Sequence, residues 1–125
     1  MSSNSWEYSF ADYNCSVPSA IMTVKNVVSA GNFYNDFLDQ QRTNAYVLNI
    51  PSGTTRAYFD NSFTGLVYNL RTNQNIKTAS RLASALQGVL SDMWSRYTNT
   101  SLSNDERTKF AYLYYLTRAS ISALK

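Results

Sequence analysis

The stretch "IKTASRLASALQGVLSDMWSRY", residues 76 to 97, decides the fold class. Ile76, Ala79, Leu82, Ala83, Leu86, Leu90 and Met93 recur at spacings of three and four, the period that lines one face of an α-helix. At this length the helix is a principal element and needs partners of similar reach. On its C-terminal side, "YTNTSLSND" reads as a loop. Ser103 and Glu106 then form the pattern in which a hydroxyl and a carboxylate satisfy the first amides of a helix. Phe110, Leu113, Leu116, Thr117, Ile121 and Leu124 make the face of that last helix.

On the N-terminal side, the polar link "RTNQN" interrupts the pattern. Before it, Asp60 is expected to cap a helix that carries Phe63, Val67 and Leu70 inward. "AYVLNIPSGTTRAYF" holds two β-prone runs, Ala45 to Ile50 and Thr54 to Phe59, around Pro51-Ser52-Gly53, which reads as a hairpin. Two strands alone are marginal in water, so the hairpin is expected to sit on the end of a helical bundle. "CSVPSAIMTVKNVVSAGN" predicts a helix with Ser16 as cap, Pro18 in the first turn and Gly31 at the end. A second helix runs from Asn32 to about Asn44, with Phe33, Phe37, Leu38 and Gln41 along its stripe. The expected architecture is mainly α: an antiparallel bundle of four to five helices with a small β-hairpin or sheet at one end. One domain spans 1–125, with 1–15 as an irregular N-terminal arm, 16–125 as the bundle and the hairpin near 45–59.

Composition narrows the function. The 44% apolar and 15% charged fractions fit a folded chain with an unusually weakly charged surface, which tolerates repeated self-contact. Charge is uneven along the chain. Residues 1–70 set Lys25, Arg42 and Arg56 against Glu7, Asp12, Asp36, Asp39 and Asp60; residues 71–125 carry eight cations against Asp92, Asp105 and Glu106. A basic half allows an acidic partner such as nucleic acid. The chain has no histidine, the commonest metal ligand and general base, and Cys15 is the lone cysteine, so no internal disulfide framework is possible. Gly-rich phosphate loops, CxxC and GxSxG are all missing. Asp36 and Asp39 read as a solvated helix face. The expectation is a protein without catalytic residues, metal or cofactor. No run is apolar enough to span a membrane and no basic n-region opens the chain, so the reducing cytoplasm is the expected compartment. The Asn14 and Asn99 glycosylation patterns are then chance matches.

From Asn61 to Ser91 there is no acidic residue, and Arg71, Lys77 and Arg81 stand among amides and hydroxyls. Lys77 and Arg81, four apart, are expected on one face at the start of a helix, where exposed N–H groups also attract anions. Asn73 can add hydrogen bonds to phosphate or sugar. On charge alone, a solvated face and an anion site both remain open. Tyr112, Tyr114 and Tyr115 cannot all face one core, and exposed tyrosine is enriched at interfaces, so Tyr112 and Tyr115 are expected at a subunit contact.

The order of these features resembles the coat proteins of rod-shaped plant RNA viruses, the tobacco-mosaic-type (tobamovirus) family and its relatives. The matching residues are Gly31, Asn32, Phe33, Gln40, Gln41 and Arg42 in "SAGNFYNDFLDQQRTN"; Arg56 with Phe59 and Asp60 of "AYFDNSF"; Arg71, Thr72, Asn73 and Ile76 in "NLRTNQNI"; and "TRASISAL" around Arg118. The second arginine of the family's Thr-Arg-Asn-Arg is missing here. The helix of residues 76–97 stands where the family has an inner loop. The resemblance implies a structural capsid protein that self-assembles helically around single-stranded genomic RNA without sequence specificity. It would be assembled in the host cytoplasm and found in the virion. On this resemblance, the RNA contacts are expected at Arg71, Asn73, Lys77 and Arg81, with Arg42, by family position, and Arg107, near the start of the last helix, as secondary ones. A small subunit of another nucleoprotein complex, such as a CRISPR effector or phage component, and a helical interaction module without nucleic acid are the alternatives.

Overall fold

A computed structural model describes residues 19–43 and 49–125. Five helices follow in order: α1 Ser19–Ala30, α2 Phe33–Thr43, α3 Gly53–Asn73, α4 Ala79–Thr98 and α5 Asn104–Leu124. The helical part of the expected architecture stands, and no strand occurs among the described residues. The expected helix cap at Ser16, Pro18 and the first run of the hairpin from Ala45 lie outside the described residues or only reach into their edge.

The second run of the hairpin is corrected. Thr54 to Phe59 forms the first turns of α3, opened by Ser52, whose hydroxyl accepts from the Thr55 amide at 3.2 Å. Residues that favour strands locally are overruled by a longer helical pattern: Phe59, Ser62, Phe63, Leu66 and Val67 all turn to the core at helical spacing. Asp60 is corrected with them, since it lies inside α3 rather than at its start.

The helix ends follow ordinary chemistry. Gly31 closes α1 at a φ of 68°, its amide donating to the Val27 carbonyl at 3.2 Å. A Cβ there would also sit 2.7 Å from Nη2 of Arg56. Gly31→Ala is therefore expected to cost about 1–2 kcal/mol through left-handed strain, read as a lower midpoint in urea unfolding. At the end of α3, Ile76 N–H reaches the Arg71 carbonyl at 3.0 Å and Asn75 N–H that of Thr72 at 3.4 Å. Asn75 takes φ 51° at the left-handed position of this Schellman turn. Thr78 caps α4 and Ser103 caps α5, each accepting an amide bond at 3.2 Å.

α4 and α5 run antiparallel along their whole length, from Tyr97 beside Arg107 through Met93 beside Thr117 to Ser84 beside Lys125. α5 also packs against α1, α2 and α3, and so forms the centre of the molecule. Its burial runs right round: Tyr112, Leu113 and Leu116 are fully enclosed, and Tyr115 nearly so. Phe33, Tyr34, Phe37 and Phe59 surround the Tyr112 ring, with centroids between 5.1 and 6.1 Å. Its hydroxyl donates to Asp60 of α3 and accepts from Arg56 Nε at 3.3 Å. The Arg56 guanidinium lies 4.0 Å over the Tyr34 ring. One polar cluster inside an aromatic cage thus ties α3, α5 and α2 together.

Candidate nucleic-acid interface

The alternating directions of the helices bring the C-terminal end of α3, the start of α4, the end of α5 and the start of α1 to the same end of the bundle. Ala20 and Ile21 of α1 meet Arg71, Ile76, Lys77 and Leu82 there. Lys125 shares the lining of a hollow with Ser80, Ala83 and Ser84 at the start of α4. The segments that build this end carry no acidic side chain: α1 has none, the run from Asn61 to Ser91 has none, and α5 has none after Glu106. Arg71, Lys77, Arg81 and Lys125 therefore sum their fields without an opposing acidic side chain in those segments.

Each expected contact residue has a definite place. Arg71, in the last turn of α3, is half-buried. Asn73, Lys77 and Arg81 are exposed. Lys77 does not share a helical face with Arg81, because it precedes the cap Thr78 and stands in the link. The turn itself, rather than a helix face, gathers them. The amides at the start of α4 point to the same side; that of Arg81 is taken by the Thr78 hydroxyl. Lys125 escaped the sequence reading. Its signal was present, since an antiparallel α4–α5 pair must bring the end of one helix to the start of the other.

Two assignments are corrected. Arg107 is only 5% exposed, and its Nε donates to the Tyr97 carbonyl at 3.2 Å, closing the last turn of α4. A guanidinium held there cannot also reach an external phosphate. Tyr112 and Tyr115 are core residues, not surface ones. Burial pushes the Tyr115 hydroxyl up to about 12, with Tyr97 nearby adding to the shift. Burial and the bond to Asp60 likewise raise Tyr112. Of the tyrosine cluster, Tyr114 is the partly exposed member. Arg42 is exposed on α2 and paired with Asp39 at 3.0 Å.

Among the described residues no group of His, Cys, Asp and Glu side chains could hold a metal ion. No described helix is long and apolar enough to cross a membrane. The exposed cations and amides of the basic end present charge and hydrogen-bond donors to an anion. Comparison with protein-family models, with curated proteins and with solved structures gives no match.

Proposed function

We propose that this chain is a structural coat subunit that binds single-stranded RNA at the basic end of its bundle and assembles helically along it. The observation that carries the reading is that Arg71, Lys77 and Arg81, with Lys125, stand at an end built from segments without acidic side chains. Cations on a turn neutralise phosphates and release counterions, and they read no base edges. The role is structural, without a catalytic step or cofactor. A sparsely charged surface suits subunits that stack, and side-by-side contacts that are heterologous propagate into an open array. Many weak sites along one strand then act together. The compartment that follows is the virion, with assembly in the host cytoplasm.

Binding to labelled homopolymeric RNA across a salt series tests this. Uridine and adenosine polymers are expected to bind equally within a small factor. Lys77→Ala and Arg81→Ala should each flatten the slope of log affinity against log salt by about 0.7, the loss of one phosphate contact on a single strand. Negative-stain images of the purified chain should show rods whose RNA resists nuclease. An RNA-free chain that binds neither polymer at low salt would end the proposal.

A further inference from the structure

Large apolar side chains are exposed at few places among the described residues, and two of these places are complementary. The first is Trp94 on α4, 42% exposed, whose ring packs at 5.1 Å on Tyr114 of α5. Arg118 lies over Tyr114 in turn at 5.7 Å, so the patch is an aromatic knob with a cation beside it. The neighbouring carboxylate, Asp92, is already engaged by Arg96 at 3.1 Å.

The second is a groove of about 770 Å³ between the segment that leads into α3 and the first turns of α3 and α5. Ile50, Pro51, Tyr58 and Phe59 line it, and Asp105 and Glu106 stand on its rim. Ile50 is 53% exposed and Tyr58 42%. Asn49 donates to Asp105 at 2.6 Å, which holds the acidic rim in place. The lining mixes these apolar side chains with polar ones, and Lys109, 5.0 Å over the Tyr58 ring, offsets one of the two carboxylates, so the hollow keeps a net negative charge.

Knob and hollow cannot meet within one molecule. Lys109 at the groove and Arg118 at the knob are about two and a half helical turns apart on α5, which sets them on opposite sides of the same helix. We propose that the Trp94 knob of one copy seats in the α3–α5 groove of a second copy, with Arg118 against Asp105 and Glu106. The contact uses two different surfaces, so each copy offers a free knob and a free groove, and the assembly grows head to tail. It deepens the self-assembly half of the reading above and rests on it. It involves neither Lys77 nor Arg81.

The test uses the full chain without RNA, followed by sedimentation velocity over a concentration series. The parent is expected to form a growing series of oligomers. Trp94→Ala removes the knob and Ile50→Arg blocks the groove; each should weaken association roughly tenfold or more while keeping its helical circular dichroism. Mixed in equal amounts, the two should form a one-to-one pair that grows no further, because one good knob meets one good groove. Glu106→Arg should weaken association, and Glu106→Arg combined with Arg118→Glu should restore it. A monomeric parent, an unaffected Trp94→Ala chain, or a mixture that stays monomeric would each overturn the contact. RNA affinity of Trp94→Ala for an oligonucleotide short enough for one subunit is measured separately. Failure of the contact is thereby told apart from failure of RNA binding.

Discussion

Replacing Tyr112 with alanine is expected to cost about 3–5 kcal/mol, a large part of the roughly 5–15 kcal/mol that holds an ordinary domain together. The ring is fully buried and touches aromatic residues from α2 and α3, so its loss leaves a cavity where three helices meet. The hydroxyl can be separated from the ring. Tyr112→Phe keeps the packing but strips Asp60 of its donor, and is expected to cost about 1–3 kcal/mol. Urea unfolding of both variants checks the order, and equal losses would show that the hydroxyl carries the whole effect.

Asp60 adds a pH signature. Its burial raises the carboxyl above the ordinary range, against the lowering pull of the Tyr112 hydrogen bond and the Arg56 charge. The folded chain therefore holds this proton to higher pH than the unfolded chain does. The stabilisation that the proton brings is complete below the ordinary carboxylate range and is lost as pH rises through the folded value. Asp60→Asn keeps an acceptor for Tyr112 and removes the titration. It should flatten stability against pH just above the ordinary carboxylate range and be at least as stable as the parent at neutral pH. A slope unchanged by the substitution would place its source elsewhere.

Arg107→Met is expected to cost about 2–3 kcal/mol, the value of a hydrogen bond to a charged group at a buried site. The guanidinium meets the last turn of α4, where carbonyls lack partners and the helix dipole is negative. Methionine fills similar volume and supplies neither bond nor charge. Thermal unfolding should show the loss, while the RNA affinity that the proposed function expects at low temperature stays at the parent value. The opposite pattern, parent stability with weakened RNA binding, would restore Arg107 to the ligand site.

What could be read in advance divides along physical lines. α4 and α5 were legible from their spacing, and the ends at Gly31 and Ser103 from local backbone chemistry. The start of α3 was not. Thr54, Thr55, Tyr58 and Phe59 favour extended chain locally, and the helix that covers them is set by the Ser52 cap and by the face Phe59 shares with Phe63 and Val67. Tyr112 and Tyr115 were misplaced because a one-faced stripe was assumed for α5, whereas a helix packed on several sides buries most of its circumference. Arg107 looked like a surface cation because nothing in the chain order tells that Tyr97 ends beside it. The basic turn at Arg71 to Arg81 was visible as an acid-free run. Its reinforcement by Lys125 needed the direction of α5.

The central position of α5 also bears on how the protein is made. It is the last of the five helices to leave the ribosome, yet α1, α2, α3 and α4 all pack against it. Until it emerges, the nascent chain has no scaffold on which to close its aromatic cage, and Phe33, Phe37 and Phe59 wait without their central tyrosine. Folding is thereby deferred until α5 has been made, and a chain cut within α5 is expected to be a substrate for proteases rather than a smaller version of the same bundle.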